Sequence, residues 1–455
     1  MKITSTMEFG RTIRNKRKKL GYTQAQLSEY TGFSTSFISD LENGKETYVG
    51  LITGDSPQDA RFAYSDSYIA AGYPPISISL PISRNPFSAE ATKNFFEGLL
   101  PEGFARKTVA NWIHAAEDDY LTILSVLGAE CLGALRISNG ADDTGDYKLL
   151  SIDDVKALAK EGVSKSTELI TEAHLSLTGA SGKVGLYYDA ERDMWYQPNG
   201  DAPSTHIVKQ SHVRLSDIVT NEQLSLTTAS KLGISIPESF IINTGAARDE
   251  EILFATKRYD RMIPESPTYT RGLIRPFRLH QEDFAQALGI SSYEKYEKGE
   301  KQYLPQIFHL LRNYVADPIA DQLKLWDLLI YDYLVGNTDN HIKNISLLYS
   351  ENLKTIRFAP AYDIVSTVIY PGSSREMAIG IGGERNIDHM KREHFDRAAA
   401  DAGLSKKMAL KHFDALADGF EKALNEMSIQ LMEEGYPKAR DIREQILKEG
   451  GYSHL

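Results

Sequence analysis

Residues 331–344 read Tyr331-Asp332-Tyr333-Leu334-Val335-Gly336-Asn337-Thr338-Asp339-Asn340-His341-Ile342-Lys343-Asn344. An apolar run stops at Gly336 and gives way to short polar residues. Asn, Thr and Asp form turns readily, so a capped turn alone accounts for Asn337–Asn340. A turn does not require a carboxylate at Asp339 with an amide, Asn344, five positions on. That pair suits a rigid loop in which the carboxylate takes up a hydroxyl proton while the amide oxygen holds a hard cation.

Downstream, Phe358-Ala359-Pro360-Ala361-Tyr362-Asp363-Ile364-Val365 sets a second carboxylate just after an apolar segment. An acidic residue followed five positions later by Asn has the spacing of the protein-kinase catalytic loop. A later Asp then sits where a second magnesium-binding carboxylate bridges metal to the β- and γ-phosphates. Further upstream, Ser176-Leu177-Thr178-Gly179-Ala180-Ser181-Gly182-Lys183 is a Gly-rich segment between expected strands. It is a near miss to a Walker A motif, because its glycines are too close together and Val184 follows the lysine where Ser or Thr should bind magnesium. A P-loop NTPase is therefore rejected.

The chain around these motifs has 455 residues, 42% hydrophobic and 25% charged, which suits a globular protein of two or three domains. No apolar run is long enough to span a bilayer. The N-terminus lacks an export signal, and the single cysteine, Cys131, excludes a disulfide framework. A cytoplasmic protein with no membrane partner is expected. The net charge of −11 is uneven: residues 1–45 carry eight Lys/Arg against four Asp/Glu, or +4, leaving −15 elsewhere. A small basic head on an acidic body implies two tasks.

Helical spacing of Phe9, Ile13 and Leu20, an N-cap at Thr23 and another at Ser34 predict three short helices ending near Gly44. Beyond Tyr48, Ile76–Leu80 alternates as a strand does. Helices are expected over 89–113, interrupted at 99–103, and over 120–127, followed by a strand at 133–137. Residues 174–260 look β-rich, with strands at 174–178, 184–188, 206–208, 240–243 and 252–256. From about 282 the chain reads as helical, with amphipathic stretches at 305–315, 321–335, 391–401 and 405–433. The expected class is α+β. It comprises a head at 1–46, a subdomain at 47–150, a β-rich lobe at 151–265 and a helical lobe at 266–455.

Asn337-Thr338-Asp339-x-His341-x-Lys343-Asn344 together with Pro360-Ala361-Tyr362-Asp363 resembles the HipA kinase family. Ser77–Pro81, Phe95–Pro101, Lys257–Arg261 and His280–Gln286 extend the likeness from about Tyr48 to the C-terminal region. The resemblance implies a two-lobed, protein-kinase-like fold using ATP and Mg²⁺. Asp339 would be the catalytic base, Asn344 and Asp363 the magnesium ligands, and His341 and Lys343 members of the catalytic loop. Lys343 would approach the γ-phosphate or the developing charge. Gly179, Ala180 and Lys183 match the family's phosphate loop, where Ser181 departs from it. Ser176 stands where family members carry an inhibitory autophosphorylation, a dianion that would repel nucleotide. Lys209 would meet the α/β-phosphates. Lys257 and Tyr259 fall in the adenine-side segment, the first where an acid is common and the second where Phe is usual. The family phosphorylates aminoacyl-tRNA synthetases and thereby halts growth, so a protein substrate and a toxin–antitoxin or persistence setting are implied.

The head resembles a Cro/repressor helix-turn-helix. Leu27, Ile38 and Leu41 are expected in its core, and Ala25 where two helices approach closely. Arg14, Lys16, Arg17, Lys18 and Lys19 suit phosphates; Thr23, Gln24, Ser34, Thr35, Ser36 and Ser39 suit base edges or phosphates. The third helix has no Arg, Asn or Gln in its first turn for bidentate base contacts. Promoter DNA is the expected partner and a homodimer the expected state by analogy. The alternative from another class is a transcription regulator whose kinase fold senses nucleotide without transferring phosphate.

Overall fold

A computed structural model describes residues 1–5, 16–31, 35, 38, 47–138, 145–161, 169, 183–211, 215–265 and 267–455. The chain begins with strand β1 (Lys2–Ser5), which pairs antiparallel with both β2 (Thr47–Thr53) and β4 (Leu135–Ser138). With β3 (Arg61–Tyr64) these make a four-stranded sheet in the order β3-β2-β1-β4. Residues 1–5, assigned with the head on sequence, are therefore an inner part of the next subdomain. Ile3 explains why: it is fully buried in one apolar cluster with Val49, Phe62 and Ile137. The head is spliced between β1 and β2.

Of the head, residues 24–31 are helical, and Thr23 and Gln26 cap that helix reciprocally (Thr23 N to Gln26 Oε1 2.9 Å, Gln26 N to Thr23 Oγ1 3.1 Å). Ile38 is buried in the same cluster as Ile3, and Leu27 packs against it, so the head rests on the four-stranded subdomain. Ala25 is exposed, against the expectation of a close helix approach there. Leu41 lies outside the described residues.

A six-stranded antiparallel sheet follows, in the order β5-β7-β6-β8-β10-β9, from β5 (Asp146–Leu149), β6 (Lys183–Asp189), β7 (Met194–Asn199), β8 (His206–Gln210), β9 (Ser239–Asn243) and β10 (Ile252–Lys257). Side chains alternate across a strand, and β10 uses both faces. Leu253 and Ala255 join the core of the N-terminal subdomain, whereas Ile252 and Phe254 join the core of the helical lobe. One sheet thereby holds the two halves together. The helical lobe contains helices Leu304–Tyr314, Pro318–Val335, Arg392–Asp401 and Lys406–Glu433, close to the four amphipathic stretches expected.

Two further expectations fail. Ile76–Leu80 is no strand but a tight bend with a lone Ser77–Leu80 bridge. Its alternation arises because Ser77 donates to Glu282 (2.6 Å) and Ser79 to the Gln286 carbonyl (2.6 Å), so both serines face the helical lobe, not solvent. The β-rich stretch also contains a fourteen-residue helix, Ile218–Lys231, that no pattern announced. Nearly all of Val219–Ala229 is buried, polar residues such as Asn221, Glu222 and Ser225 included, so burial does not follow an apolar stripe with a 3.6-residue period. The strand expected at 174–178 lies outside the described residues.

Candidate active site

Three elements converge on a chamber of about 310 Å³ between the six-stranded sheet and the helical lobe. The sheet contributes two cations. Lys183 on β6 is paired directly with Lys209 on β8, and directly opposed residues share a face, so both ammonium groups enter the chamber. Lys209 is clamped: its Nζ lies 2.5 Å from Glu222 Oε1 and 2.5 Å from Asp363 Oδ1, and 5.4 Å above the Phe254 ring. Burial alone would favour its neutral form, but the two carboxylates outweigh burial and raise its pKa above the ordinary lysine value. Lys183, half-buried, has its pKa lowered by desolvation, with Asp363 acting against that. Glu222 comes from the unannounced helix, which is why sequence reasoning missed it.

The helical lobe contributes the loop. Helix Pro318–Val335 stops at Gly336, which caps it with φ of +78° and donates to the Asp332 carbonyl at 3.0 Å. The Asp332 side chain, fully buried, accepts from the amides of Asn337 (2.8 Å) and Asn340. It thus ties both sides of the turn, and burial pushes its pKa up to about 7. Asp339 is exposed at the chamber mouth. Asn344 spends its amide nitrogen on the Asp339 carbonyl (3.0 Å), which leaves its oxygen for the chamber. The strands Ser346–Tyr349 and Ile356–Phe358 then return the chain to Asp363. Asp363 takes a φ of +58°, a conformation that costs a non-glycine residue about 1–3 kcal/mol and is concentrated at functional sites. Burial would raise its pKa, but Lys209 and Lys183 hold it well below the carboxylate range.

The N-terminal subdomain contributes a brace. Lys343 does not point to a phosphate position as expected: its ammonium bonds Asp283 (2.9 Å) and the Gly98 carbonyl (3.0 Å), with Glu102 at 3.3 Å. It is a strut that fastens the loop to the subdomain. Glu102 also pairs with Lys295 at 2.5 Å, and despite burial Lys343 and Lys295 hold its pKa at about 2. His341 is buried and its pKa falls to about 3, chiefly from desolvation, so the ring is neutral; its edge meets Tyr296 at 5.0 Å between centroids. Glu102, Lys295 and Tyr296 carried no sequence signal, because they reach the loop from distant segments.

A smaller recess of about 60 Å³ adjoins the chamber through Lys183, Lys209 and Asp363, lined also by Ile207, Leu226, Pro237 and Tyr259. Tyr259 is half-buried, hydrogen-bonded to Gln281 and 5.9 Å from the Tyr362 ring. Lys257 borders the same recess but is exposed and pairs with Glu238 at 2.8 Å. Ser176, Gly179 and Ala180 lie outside the described residues, as do Arg14, Ser34, Ser36 and Ser39 in the head. Lys18, Thr23 and Thr35 are exposed and Gln24 is half-exposed.

The hard-oxygen pair of Asp363 and Asn344, beside the two lysines of the sheet, fits a magnesium–nucleotide site. A β-rich lobe bearing a clamped lysine over a helical lobe bearing the Asp–Asn loop is the two-lobed protein-kinase-like fold. Comparison with known proteins gives the family. Residues 175–424 match the HipA-like C-terminal domain, residues 44–138 the HipA N-terminal domain, and residues 13–49 a helix-turn-helix. "Putative kinase Y4mE" of Sinorhizobium fredii is 30% identical over 387 residues, covering 83% of this chain and 88% of that one. Over 42 residues, 9% of this chain and 38% of the other, identity to the competence pilus inhibition repressor of Acinetobacter baylyi is 48%. HipA in the Shewanella oneidensis toxin–antitoxin complex of HipA, HipB and operator DNA shares the fold. Its TM-score is 0.72 at 20% identity, over 89% of this chain and 94% of that one. The chain belongs to the HipA-like kinase family and carries an N-terminal helix-turn-helix.

Proposed function

We propose that this chain is a Mg-ATP-dependent protein serine/threonine kinase whose DNA-binding head regulates its own promoter. The observation that supports it best is the Lys209 clamp, which joins Glu222 and Asp363 across the mouth of the loop holding Asp339. Asp339 orients an incoming hydroxyl and accepts its proton. Lys209 and Lys183 bind the phosphates, with Glu222 fixing where Lys209 stands. Asp363 and Asn344 would hold magnesium, which when bound neutralises charge on the transferring phosphoryl group. The apolar recess beside Tyr259 suits a base, and Lys257 sits at its rim. Asp332 and Lys343 keep the loop rigid, so the reacting groups need little reorganisation.

By family resemblance the protein substrate is an aminoacyl-tRNA synthetase, the setting is a cytoplasmic growth-control or toxin–antitoxin system, and Ser176 takes an inhibitory autophosphorylation. Among the described residues no helix is long and apolar enough to cross a membrane. The Shewanella complex contains operator DNA, which supports promoter DNA as the partner of this head. Lys18 and Thr35 are exposed there for phosphate contact. The test is transfer of labelled γ-phosphate from Mg-ATP by the wild type and by Asp339→Asn, with phosphosites mapped by mass spectrometry. Label on Ser176 that vanishes in Asp339→Asn supports the kinase. Tight ATP binding with no label anywhere makes the chain a nucleotide-sensing regulator instead.

A further inference from the structure

The Tyr296 hydroxyl donates to Asp339 Oδ1 at 2.5 Å. A phospho-acceptor must do the same thing at the same carboxylate, because the base can accept a proton only from a hydroxyl hydrogen-bonded to it. The phenol is held there from several directions. Its ring meets the His341 edge, and the Lys295 ammonium lies 5.5 Å from the ring centroid while paired with Glu102. The next residue, Glu297, is buried and fixed by the backbone N–H groups of Tyr303 (2.6 Å) and Gly380 (2.7 Å). Both neighbours of Tyr296 are thus anchored, yet the tyrosine itself is only half-buried, at the chamber mouth. Its backbone is fixed while its side chain has space on the solvent side.

We propose that Tyr296 is a built-in mimic of the substrate hydroxyl, which occupies the acceptor seat on Asp339 until a protein substrate displaces it. This rests on the kinase reading and adds a specificity element to the same site. The resting base already accepts from a hydroxyl at Oδ1, so a water bidding for that oxygen must displace the phenol, which suppresses futile hydrolysis of ATP. A substrate must offer its Ser or Thr on a segment that enters the mouth and turns the phenol aside, so acceptor affinity is lowered by the bond that has to be broken.

The test uses the full chain, Mg-ATP and dephosphorylated casein as a generic Ser/Thr acceptor, comparing wild type with Tyr296→Phe. The variant keeps the ring on His341 and loses only the hydroxyl. The expected result is a KM for casein lowered about tenfold, the size of one hydrogen bond to a carboxylate. The maximal rate is retained, and ATP hydrolysis without casein rises. A lowered kcat with unchanged KM would overturn the proposal and make Tyr296 a positioning residue for Asp339. Phosphotyrosine at position 296 in wild type would overturn it equally. Absence of transfer by wild type to any acceptor would instead overturn the kinase reading on which the proposal stands.

Discussion

Ser5 pairs with Thr47 across adjacent antiparallel strands, so the whole of residues 6–46 is carried in the turn of one hairpin. A helix-turn-helix head attached in this way has two covalent tethers, and its base is a strand at the centre of a sheet. Removing residues 1–46 deletes that strand along with Ile3 and leaves β2 and β4 with unpaired edges. Replacing residues 6–46 by a short Asn-Gly turn keeps the sheet intact. The shorter deletion is expected to stay monodisperse, with cooperative unfolding, and to lose DNA binding alone. The longer one is expected to aggregate or to lose several degrees in Tm. Thermal denaturation and gel-shift measurements on both variants check this.

The candidate loop could be located because its polar residues are local: Asp339, His341, Lys343 and Asn344 fall within six residues of one another, and the helix before them ends at a glycine. The helical lobe was legible for a related reason, since its surface helices carry regular apolar stripes. β1 was not, because Lys2-Ile3-Thr4-Ser5 is too short to show a period and reads as a tail. Glu222 was hidden because its helix buries polar and apolar residues alike. Glu102, Lys295 and Tyr296 act on the loop through tertiary contacts, and nothing at their own positions marks them. For Lys343 the resemblance located the residue but not the direction of its side chain.

Glu222 orients Lys209 and does not touch the reacting atoms, so its loss acts through geometry. Glu222→Gln is expected to fold and to lower phosphate transfer by about 10- to 100-fold. Lys209→Ala is a different lesion: it leaves Glu222 and Asp363 near one another without their cation. Asp363 is only half-buried, so that variant is expected to lose about 1–3 kcal/mol of stability as well as activity. Lys231→Ala, which breaks an exposed pair with Glu426, is the control and should change stability by less than about 0.5 kcal/mol. Denaturant titration alongside the transfer assay separates the three.

Glu102 gives the brace a pH signature. Its carboxyl, with an ordinary value of 4.5, is held at about 2 in the folded chain, burial being outweighed by Lys343 and Lys295. A depressed carboxylate stabilises the fold fully above its unfolded value, and that contribution fades as pH falls from 4.5 toward 2. Glu102→Gln is therefore expected to cost up to about 3 kcal/mol at pH 7, with the gap to wild type narrowing below pH 4.5. Urea midpoints for both proteins at pH 7, 5 and 4 test the sign. A gap that widens on acidification would show that Glu102 does not carry the brace.

Gly336 places the loop at the end of its helix, and two glycines of similar backbone allow its role to be isolated. Gly336 and Gly372 have φ of +78° and +82°. A Cβ at Gly372 meets nothing within 4 Å, whereas one at Gly336 falls 2.2 Å from Val368 Cγ2. Gly372→Ala should then cost only the left-handed backbone penalty, about 1 kcal/mol. Gly336→Ala carries that penalty plus overpacking, for a total of about 2–4 kcal/mol. The Gly336 carbonyl accepts from both the backbone and the hydroxyl of Thr367 (2.9 and 3.1 Å), and Thr367 Oγ1 in turn accepts from Thr338 N at 2.9 Å. A shift at Gly336 therefore moves the start of the loop and lowers transfer, whereas Gly372→Ala should leave it near wild type. Adding Val368→Ala to Gly336→Ala should recover the steric part and leave the backbone part. No recovery in the double variant would show that backbone conformation, not packing, sets the loop.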